Sequence, residues 1–291
     1  MKVFYETDWH IHTEASYDAD LKVSDLIERA KQNGIRQFGI SDHVNYPFMV
    51  KHLERSKDLF SAHPTEGFHF GVELTTLPKS QYDFALQHPA DPDCRKTWLL
   101  GYIPPIFKKD GIALSLSETE LERCQVEYVI AGAHWSFDLR QSRKGAIKSY
   151  QEQQMFIARQ KCVDIIAHPW WIYMGRFVKN GMQTGPWFDD FAIIPQSHHE
   201  EFAAAVLENQ KMVELNTDFF VSTCYTDYFK RQYAEYICML HEKGIPITIG
   251  SDLHGNYTAH HEEVRHYMEP LGFTSETFAT PHFREYVEKQ N

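Results

Sequence analysis

The chain has 291 residues, 43% of them hydrophobic, and a formal net charge of −11 at pH 7. This length suits either one large α/β barrel or two small domains. The acidic balance argues against an extended nucleic-acid surface, because such surfaces need Lys and Arg to neutralise phosphates, and no stretch approaches the ~18 apolar residues that span a bilayer.

The cysteines and the first residues bear on where the protein works. Five cysteines form no CxxC pair, which predicts reduced thiols rather than a disulfide framework. The opening residues contain an early acid and no long apolar run, so we expect no signal peptide and a cytoplasmic protein without a membrane partner. The 17 histidines are the unusual feature of the composition, and many of them follow apolar runs.

Short apolar runs typical of strands alternate with helical patterns along most of the chain. Strands are predicted over residues 3–9, 36–41, 68–72, 128–133, 163–167, 212–216 and 245–251. Helices are predicted over about 23–33, 49–62, 146–160, 199–209, 225–240 and 261–268. Seven strands that alternate with helices are typical of a parallel α/β barrel or a doubly wound sheet.

The alternation loosens at about 74–117, where several prolines interrupt the pattern. Residues 99–103 and 112–116 are possible hairpin strands, and a Ser-x-x-Glu capping box at Ser117 predicts the start of a short helix. Because the segment has no core of its own, we interpret it as an insertion on one barrel domain that spans residues 1–291.

Candidate metal ligands follow the predicted strands. His10 and His12 are separated by one residue, so both side chains point to the same side of the first strand and could reach one ion. Asp252 and His254 repeat this spacing after the last strand. The full set of candidate ligands is His10, His12, Asp18, His43, Glu73, His134, His168, Asp252 and His254. Ligands at the ends of several strands favour a barrel, and a nitrogen-rich set favours Zn, Fe or Mn over Mg or Ca.

Four further residues are candidate substrate contacts. Arg140 and Arg176 are predicted on loops that follow two candidate ligands, where a guanidinium could bind a phosphate, although ordinary solvated charge is the alternative. Trp171 directly follows a candidate ligand and could line the substrate pocket or pack against the barrel rim. Asn216 ends the sixth predicted strand, where it could contact substrate or make a strand-end hydrogen bond.

The candidate ligands belong to motifs that occur in the order found in the PHP (polymerase and histidinol phosphatase) family, and the resemblance covers essentially the whole chain. The motifs are His-Ile-His-Thr from His10 followed by Asp18, Ser-Asp-His43, Gly-Val-Glu73, Gly-Ala-His134, Ala-His168-Pro and Gly-Ser-Asp252-Leu-His254. The chain is most similar to stand-alone phosphoesterases of the histidinol phosphatase type, because it lacks the length of the polymerase subunits. The resemblance implies a distorted (β/α)7 TIM-like barrel with a metal site at the C-terminal face of its strands.

The resemblance also implies two or three divalent ions, Zn, Mn or Fe, and assigns their ligands. One ion would be held by His10, His12, Glu73 and Asp252, a second by Glu73, His134 and His168, and a third by Asp18, His43 and His254. The family uses either His or Asp at the position of Asp18. Within this set we assign catalytic roles to Glu73, Asp252 and His254.

The predicted function is hydrolysis of a small phosphate monoester by attack of a metal-activated hydroxide on phosphorus, with histidinol phosphate as the first substrate to try. Three ions, three carboxylates and a bridging hydroxide would leave a net charge of about +2, which suits a phosphate dianion. A nucleotide phosphodiesterase and an amidohydrolase-like hydrolase are alternatives, because fold and metals do not fix the bond that is cut. A non-catalytic PHP-like module is a remote alternative. The sequence does not indicate an oligomeric state.

Overall fold

Parallel strands and helices alternate along the chain in this computed structural model. The residues that it describes are 3–90, 111–138, 142–171, 178–179, 182–183, 190–223 and 225–286. Arg140, Arg176 and the predicted strand over 99–103 lie outside these ranges.

Within the described residues, eleven strands alternate with nine α-helices. The strands are β1 (Thr7–Ile11), β2 (Gln37–Ile40), β3 (His43–Val44), β4 (Phe68–Pro78), β5 (Ile112–Leu114), β6 (Tyr128–Gly132), β7 (Ile165–Ile166), β8 (Val178–Lys179), β9 (Met182–Gln183), β10 (Met212–Asn216) and β11 (Ile247–Gly250). The helices are α1 (Val23–Gln32), α2 (Val50–Ala62), α3 (Lys79–Gln87), α4 (Glu118–Cys124), α5 (Arg143–Ala158), α6 (Gln196–Glu208), α7 (Asp218–Val221), α8 (Asp227–Glu242) and α9 (His261–Met268). Single 3₁₀ turns lie at Pro47–Met49, Phe191–Ile193 and Glu269–Leu271.

Nine of the strands form one sheet that closes into a barrel, and β8 and β9 form a separate antiparallel pair. Seven of them are parallel, in the order β1-β2-β4-β6-β7-β10-β11, while β3 pairs beside β4 and β5 pairs antiparallel with β4. The first and last strands meet, because His12 N donates to Leu253 O at 3.0 Å and Asp252 N donates to His10 O at 2.7 Å. The predicted (β/α)7 barrel is therefore confirmed.

Strand β4 is longer than its apolar run predicts. It continues past Glu73 to Pro78, and helix α3 follows it directly, within the segment that we interpret as an insertion. The extension pairs with β5, with Thr76 opposite Leu114. This partner lies far away in the sequence, so the local pattern cannot reveal it, and the first part of the segment belongs to the sheet.

The helices bury one face each against the barrel, as amphipathic helices do. One face of α8 packs into the core, where Phe229, Tyr233 and Ile237 are buried. Helix α4 begins with the predicted capping box, since Ser117 Oγ accepts from Glu120 N while the Glu120 carboxylate accepts from Ser117 N. No helix in the described ranges combines the length and apolar character needed to cross a bilayer. The described cysteines (Cys124, Cys162 and Cys238) are all unpaired.

The interior of the barrel is filled below the strand ends by Tyr128. Its ring is fully buried, and its hydroxyl donates to Trp9 O at 3.0 Å and to Ile40 O at 3.2 Å. Neighbouring strands carry Gly39 and Gly71 where this ring lies, and a Cβ at either position would overlap it. The ring therefore depends on glycine in two strands.

The segment near residue 284 covers the amino ends of the strands. Phe283 stacks on His69 with ring centroids 3.8 Å apart. Arg284 binds both oxygens of Asp164, at 2.7 and 3.1 Å. With this end covered, the carboxyl ends of the strands form the accessible mouth of the barrel.

Candidate metal centre

The nine predicted ligands all lie in described parts of the chain and converge at the mouth of the barrel. Four overlapping sets of their donor atoms lie within 4.8 Å of one another. These sets are His10, His12 and Glu73; His10, His168 and Asp252; His43, Glu73 and His134; and His12, His43 and His254. The parallel strands explain the convergence, because their carboxyl ends all reach the same end of the barrel.

The donors implied for the first ion come from β1 and the residue that follows it, from β4 and from the segment after β11. His10 Nε2 lies 3.1 Å from His12 Nε2, 3.3 Å from Glu73 Oε2 and 3.4 Å from Asp252 Oδ1. His12 Nε2 lies 3.1 Å from the same Asp252 oxygen. Four donors from distant parts of the chain thus surround one point.

The donors implied for the second ion meet at the other oxygen of Glu73. His134 Nε2 lies 3.0 Å from Glu73 Oε1, and His168 Nε2 lies 2.9 Å from it. The two carboxylate oxygens of Glu73 therefore face two different groups of imidazoles. This is the arrangement that a carboxylate bridging two ions requires.

The donors implied for the third ion lie at the outer edge. Asp18 Oδ2 is 3.5 Å from both His43 Nε2 and His254 Nε2, and these two nitrogens are 3.3 Å apart. His43 Nδ1 also lies 2.6 Å from Glu73 Oε2. The third group is thus contiguous with the other two.

The hydrogen bonds of the imidazoles fit metal ligands. His254 Nδ1 donates to the Asp252 carbonyl at 2.8 Å, and His134 Nδ1 donates at 2.9 Å to Thr75 Oγ1, whose own proton goes to Asn45 Oδ1. Because Nδ1 holds a proton in both rings, Nε2 is the nitrogen of each ring that can offer a lone pair to an ion. Glu73 Oε2 is buried without a hydrogen-bond partner among the described residues, although three imidazoles crowd it. Such a set of nitrogen and carboxylate donors fits Zn, Mn or Fe.

The protein alone holds this cluster in a highly charged state. Burial would raise the pKa of Glu73, but nearby imidazoles, His10 foremost, hold that pKa well below its ordinary value. Burial would lower the pKa of His43, yet the carboxylates of Glu73 and Asp18 raise it to about 9. In the protein without metal, protons on the imidazoles therefore balance the carboxylate charge that bound cations would otherwise balance.

We expect metal binding to release protons from this cluster. Because the pKa of His43 is raised to about 9, its ring is protonated at pH 7, and an ion must displace that proton. The apparent affinity for Zn should thus rise as the pH increases from 6 towards 9. Calorimetry at pH 7 in two buffers of different ionisation enthalpy measures the released protons. The His43→Ala variant should release fewer, and equal heats in both buffers for the unmodified protein would contradict the prediction.

Two ligands lie on backbone of left-handed conformation. The φ angle is +29° at His168 and +56° at Asp252, a region that residues other than glycine seldom occupy. Such strain persists only where surrounding contacts impose it, and it is concentrated at functional sites. Here Asp252 N is held by His10 O at 2.7 Å, and His168 N is held by Glu214 Oε2 at 2.6 Å.

A family model of the PHP domain matches residues 8–218, more than two thirds of the chain. The chain belongs to the PHP domain family. The matched range contains seven of the nine predicted ligands, while Asp252 and His254 lie beyond it. With this membership and its donor set, the PHP chain is a metal-dependent phosphoesterase, a hydrolase of phosphoric esters.

A solved structure of similar fold supports the barrel. A histidinol phosphate phosphatase from Lactococcus lactis, crystallised with Zn, L-histidinol and phosphate, is similar at a TM-score of 0.60 and 15% identity, over 96% of the PHP chain and 99% of that protein. A Xaa-Pro dipeptidase with bound methionine gives a TM-score of 0.37 at 11% identity, over 93% of the PHP chain and 70% of that protein. No curated protein sequence matches the PHP chain.

Two of the predicted substrate contacts lie beside the metal centre of the PHP chain. The half-buried Trp171 ring is 5.3 Å from the His168 ring and 6.4 Å from the His134 ring. Asn216 is fully buried, and its amide donates to Asp252 Oδ2 at 3.2 Å. The structure thus gives Asn216 a hydrogen bond to a predicted ligand, and substrate contact by either residue stays a prediction.

Glu214 is not among the site residues predicted from the sequence. This residue is buried on β10, and its Oε1 lies 2.7 Å from His10 Nδ1. Its spacing of two from Asn216 places both side chains on one face of the strand, which was the available signal. Its partner is 204 positions away, so the contact itself has no local signature.

Proposed function

We propose that this PHP protein hydrolyses a small phosphate monoester, with histidinol phosphate as the first substrate to test. The observation that carries the proposal is the position of Glu73, whose two oxygens face two separate groups of imidazoles. Its ligand sets would be those that the resemblance implies, with two or three ions of Zn, Mn or Fe. Bound there, the ions would supply charge stabilisation for phosphoryl oxygens and a lowered pKa for water.

The predicted ligands differ in how deeply their side chains are buried, and we propose different roles for them on that basis. His10, His12 and Glu73 are fully buried, so they would hold the inner ions away from solvent. The His254 side chain is 34% exposed, the largest fraction among the six imidazoles, so it would face the incoming substrate. Asp252, at 12%, lies between the two layers. We therefore propose that Glu73 and Asp252 organise the centre and that His254 completes it at the substrate.

The surroundings of the centre support a substrate with a flat organic part. Trp171 and Trp135 lie beside it, with the Trp135 ring 6.0 Å from the His134 ring and 6.5 Å from the Tyr46 ring. Aromatic walls with few polar groups are typical of small-molecule pockets. The similar fold of a protein crystallised with L-histidinol and phosphate supports the same choice of first substrate.

A substrate panel tests this function. Protein stripped with a chelator and reloaded separately with Zn, Mn or Fe is assayed on histidinol phosphate, nucleoside monophosphates, p-nitrophenyl phosphate and its bis-ester, a lactone and an amide. We expect turnover of monoesters that chelation abolishes and metal restores, and that His134→Ala removes. Faster turnover of the bis-ester would favour a nucleotide phosphodiesterase. Turnover of only the lactone or amide would favour an amidohydrolase-like enzyme, and bound metal without any turnover would favour a non-catalytic module.

A further inference from the structure

A fourth carboxylate lies directly beneath the metal centre without belonging to the predicted ligands. Glu214 projects from β10 and is 1% exposed. Its Oε1 lies 2.7 Å from His10 Nδ1, and its Oε2 accepts from His168 N at 2.6 Å and from Asn216 Nδ2 at 3.3 Å. Both oxygens are therefore fully engaged with the backbone or side chains of the site.

The neighbouring strand leaves room for this side chain. Gly250 on β11 pairs in register with Asn216, and a Cβ at Gly250 would overlap both Glu214 Oε1 and the Cβ of His10. The glycine thus opens the path by which the carboxylate reaches His10. The Glu214 carboxylate is thus buried, has space provided by a glycine, and meets three hydrogen-bond donors, so the local structure is arranged around it.

The donor and acceptor inventory fixes the proton on His10. The His168 backbone N–H can only donate, and an ionised carboxylate can only accept. His10 Nδ1 must therefore carry the hydrogen that it shares with Glu214 Oε1. The other ring nitrogen, Nε2, is then the one that can offer a lone pair to an ion, and it is this atom that lies 3.1 Å from His12 Nε2 and 3.3 Å from Glu73 Oε2.

We propose that Glu214 is a positioning residue that sets the ligating tautomer of His10 and holds the strained backbone of His168. This inference rests on the proposed metal centre. Through Asn216, whose amide also donates to Asp252 Oδ2 at 3.2 Å, the same carboxylate orients a third ligand. One side chain thus prepares ligands of two different ions, and carboxylates behind histidine ligands act in this way in metal sites generally.

The isosteric change Glu214→Gln separates this role from simple packing. Glutamine keeps the shape but offers one acceptor and one donor, so it cannot accept from both His168 N and His10 Nδ1. Keeping the bond to His168 places an NH₂ group against His10 and moves the His10 proton to Nε2, where it blocks the metal. We expect Zn affinity, measured by competition with a chromogenic chelator, to fall about 10–100-fold. Glu214→Asp keeps both acceptors and should recover part of the loss.

Asp164→Asn is the matched control, because Asp164 is a partly buried carboxylate at the opposite end of the barrel, bound to Arg284. It should lower thermal stability and leave Zn affinity unchanged.

A second measurement examines the unmodified protein and needs a variant only to assign the signal. Long-range ¹H–¹⁵N NMR of the unmodified, Zn-loaded protein should show the hydrogen of His10 on Nδ1, with the resonance assigned by its loss in His10→Asn.

The possible results distinguish failure of the role of Glu214 from failure of the metal centre itself. Unchanged Zn affinity in a folded Glu214→Gln protein, or a hydrogen on Nε2 of His10 in the NMR experiment, would overturn the role of Glu214. Equal losses of Zn affinity in the Glu214→Gln and Glu214→Asp variants would show that only the packing of the side chain matters, which would also overturn the role. If the unmodified protein binds no Zn, Mn or Fe, the metal centre itself fails, and the proposed function fails with it.

Discussion

The Glu73→Gln variant should remain folded and lose most of its metal and its activity. Glu73 is fully buried, and its oxygens face imidazoles of both inner groups, so no other residue can replace its bridging position. Glutamine would replace one oxygen with an NH₂ group, which cannot bind an ion beside the ring nitrogens that it faces. The substitution would also remove the negative charge between the ions. We expect kcat/KM for a phosphate monoester to fall by more than about 100-fold, the upper end of the loss when only a supporting group is changed.

Metal content by elemental analysis, after dialysis against a weak chelator, checks this expectation independently of activity. Glu127→Gln serves as the control, because that carboxylate accepts from Phe70 N at 2.8 Å at the amino end of the barrel, away from the metal centre. It should retain both metal and turnover. A Glu73→Gln protein that keeps its full metal content and its turnover would contradict the bridging role.

Gly71→Ala should cause a large loss of stability for the addition of a single methyl group to the barrel wall. The new Cβ would overlap the Tyr128 ring, which is fully buried and held by hydrogen bonds to Trp9 O and Ile40 O. Overpacking of this kind costs about 1–3 kcal/mol, and a ring fixed at its hydroxyl end cannot move away, so we expect the upper part of that range. The melting temperature of a chain of this length should fall by roughly 3–5 °C.

Thermal unfolding of chelator-treated protein measures this effect without a contribution from bound metal. Gly255→Ala is the control, because a Cβ there would meet only Asp20 Oδ1, at 3.6 Å, which is an ordinary contact. Removing the ring should also relieve the clash, so Gly71→Ala combined with Tyr128→Leu should cost less than the sum of the two single changes. If the Gly71→Ala variant has the same melting temperature as the unmodified protein, the barrel wall tolerates the added methyl group and the prediction is wrong.

Much of the barrel could be predicted because its strands are buried on both faces and therefore form continuous apolar runs. The ends of these runs were equally visible, since each stops at a polar residue such as His43, Glu73 or His134. Strand lengths were harder to predict. The run over 163–167 yields only Ile165–Ile166 as β7, because pairing with both neighbours is confined to that short stretch, whereas β4 extends to Pro78 through a distant partner.

The candidate site was predicted as a set of residues, but its supporting contacts were not. The ligands carry a signal because histidine and carboxylate side chains at strand ends have few other uses in such a pattern. Thr75 carries no such signal, and Glu214 carries only its spacing of two from Asn216. Each acts through a hydrogen bond to a ring 59 or 204 positions away, respectively. Only the closed barrel brings such pairs together, so tautomer control is a property of the fold rather than of any local motif.

The seam between the first and last strands has a consequence for biosynthesis. His12 and Asp252 lie 240 positions apart yet meet at 3.1 Å, so the two sides of one donor set leave the ribosome at very different times. A nascent chain that has not yet released its last strand can present the histidines of β1 but cannot complete the set or close the wall. Metal capture with full affinity is therefore a late event, and it reports that the whole barrel has been made.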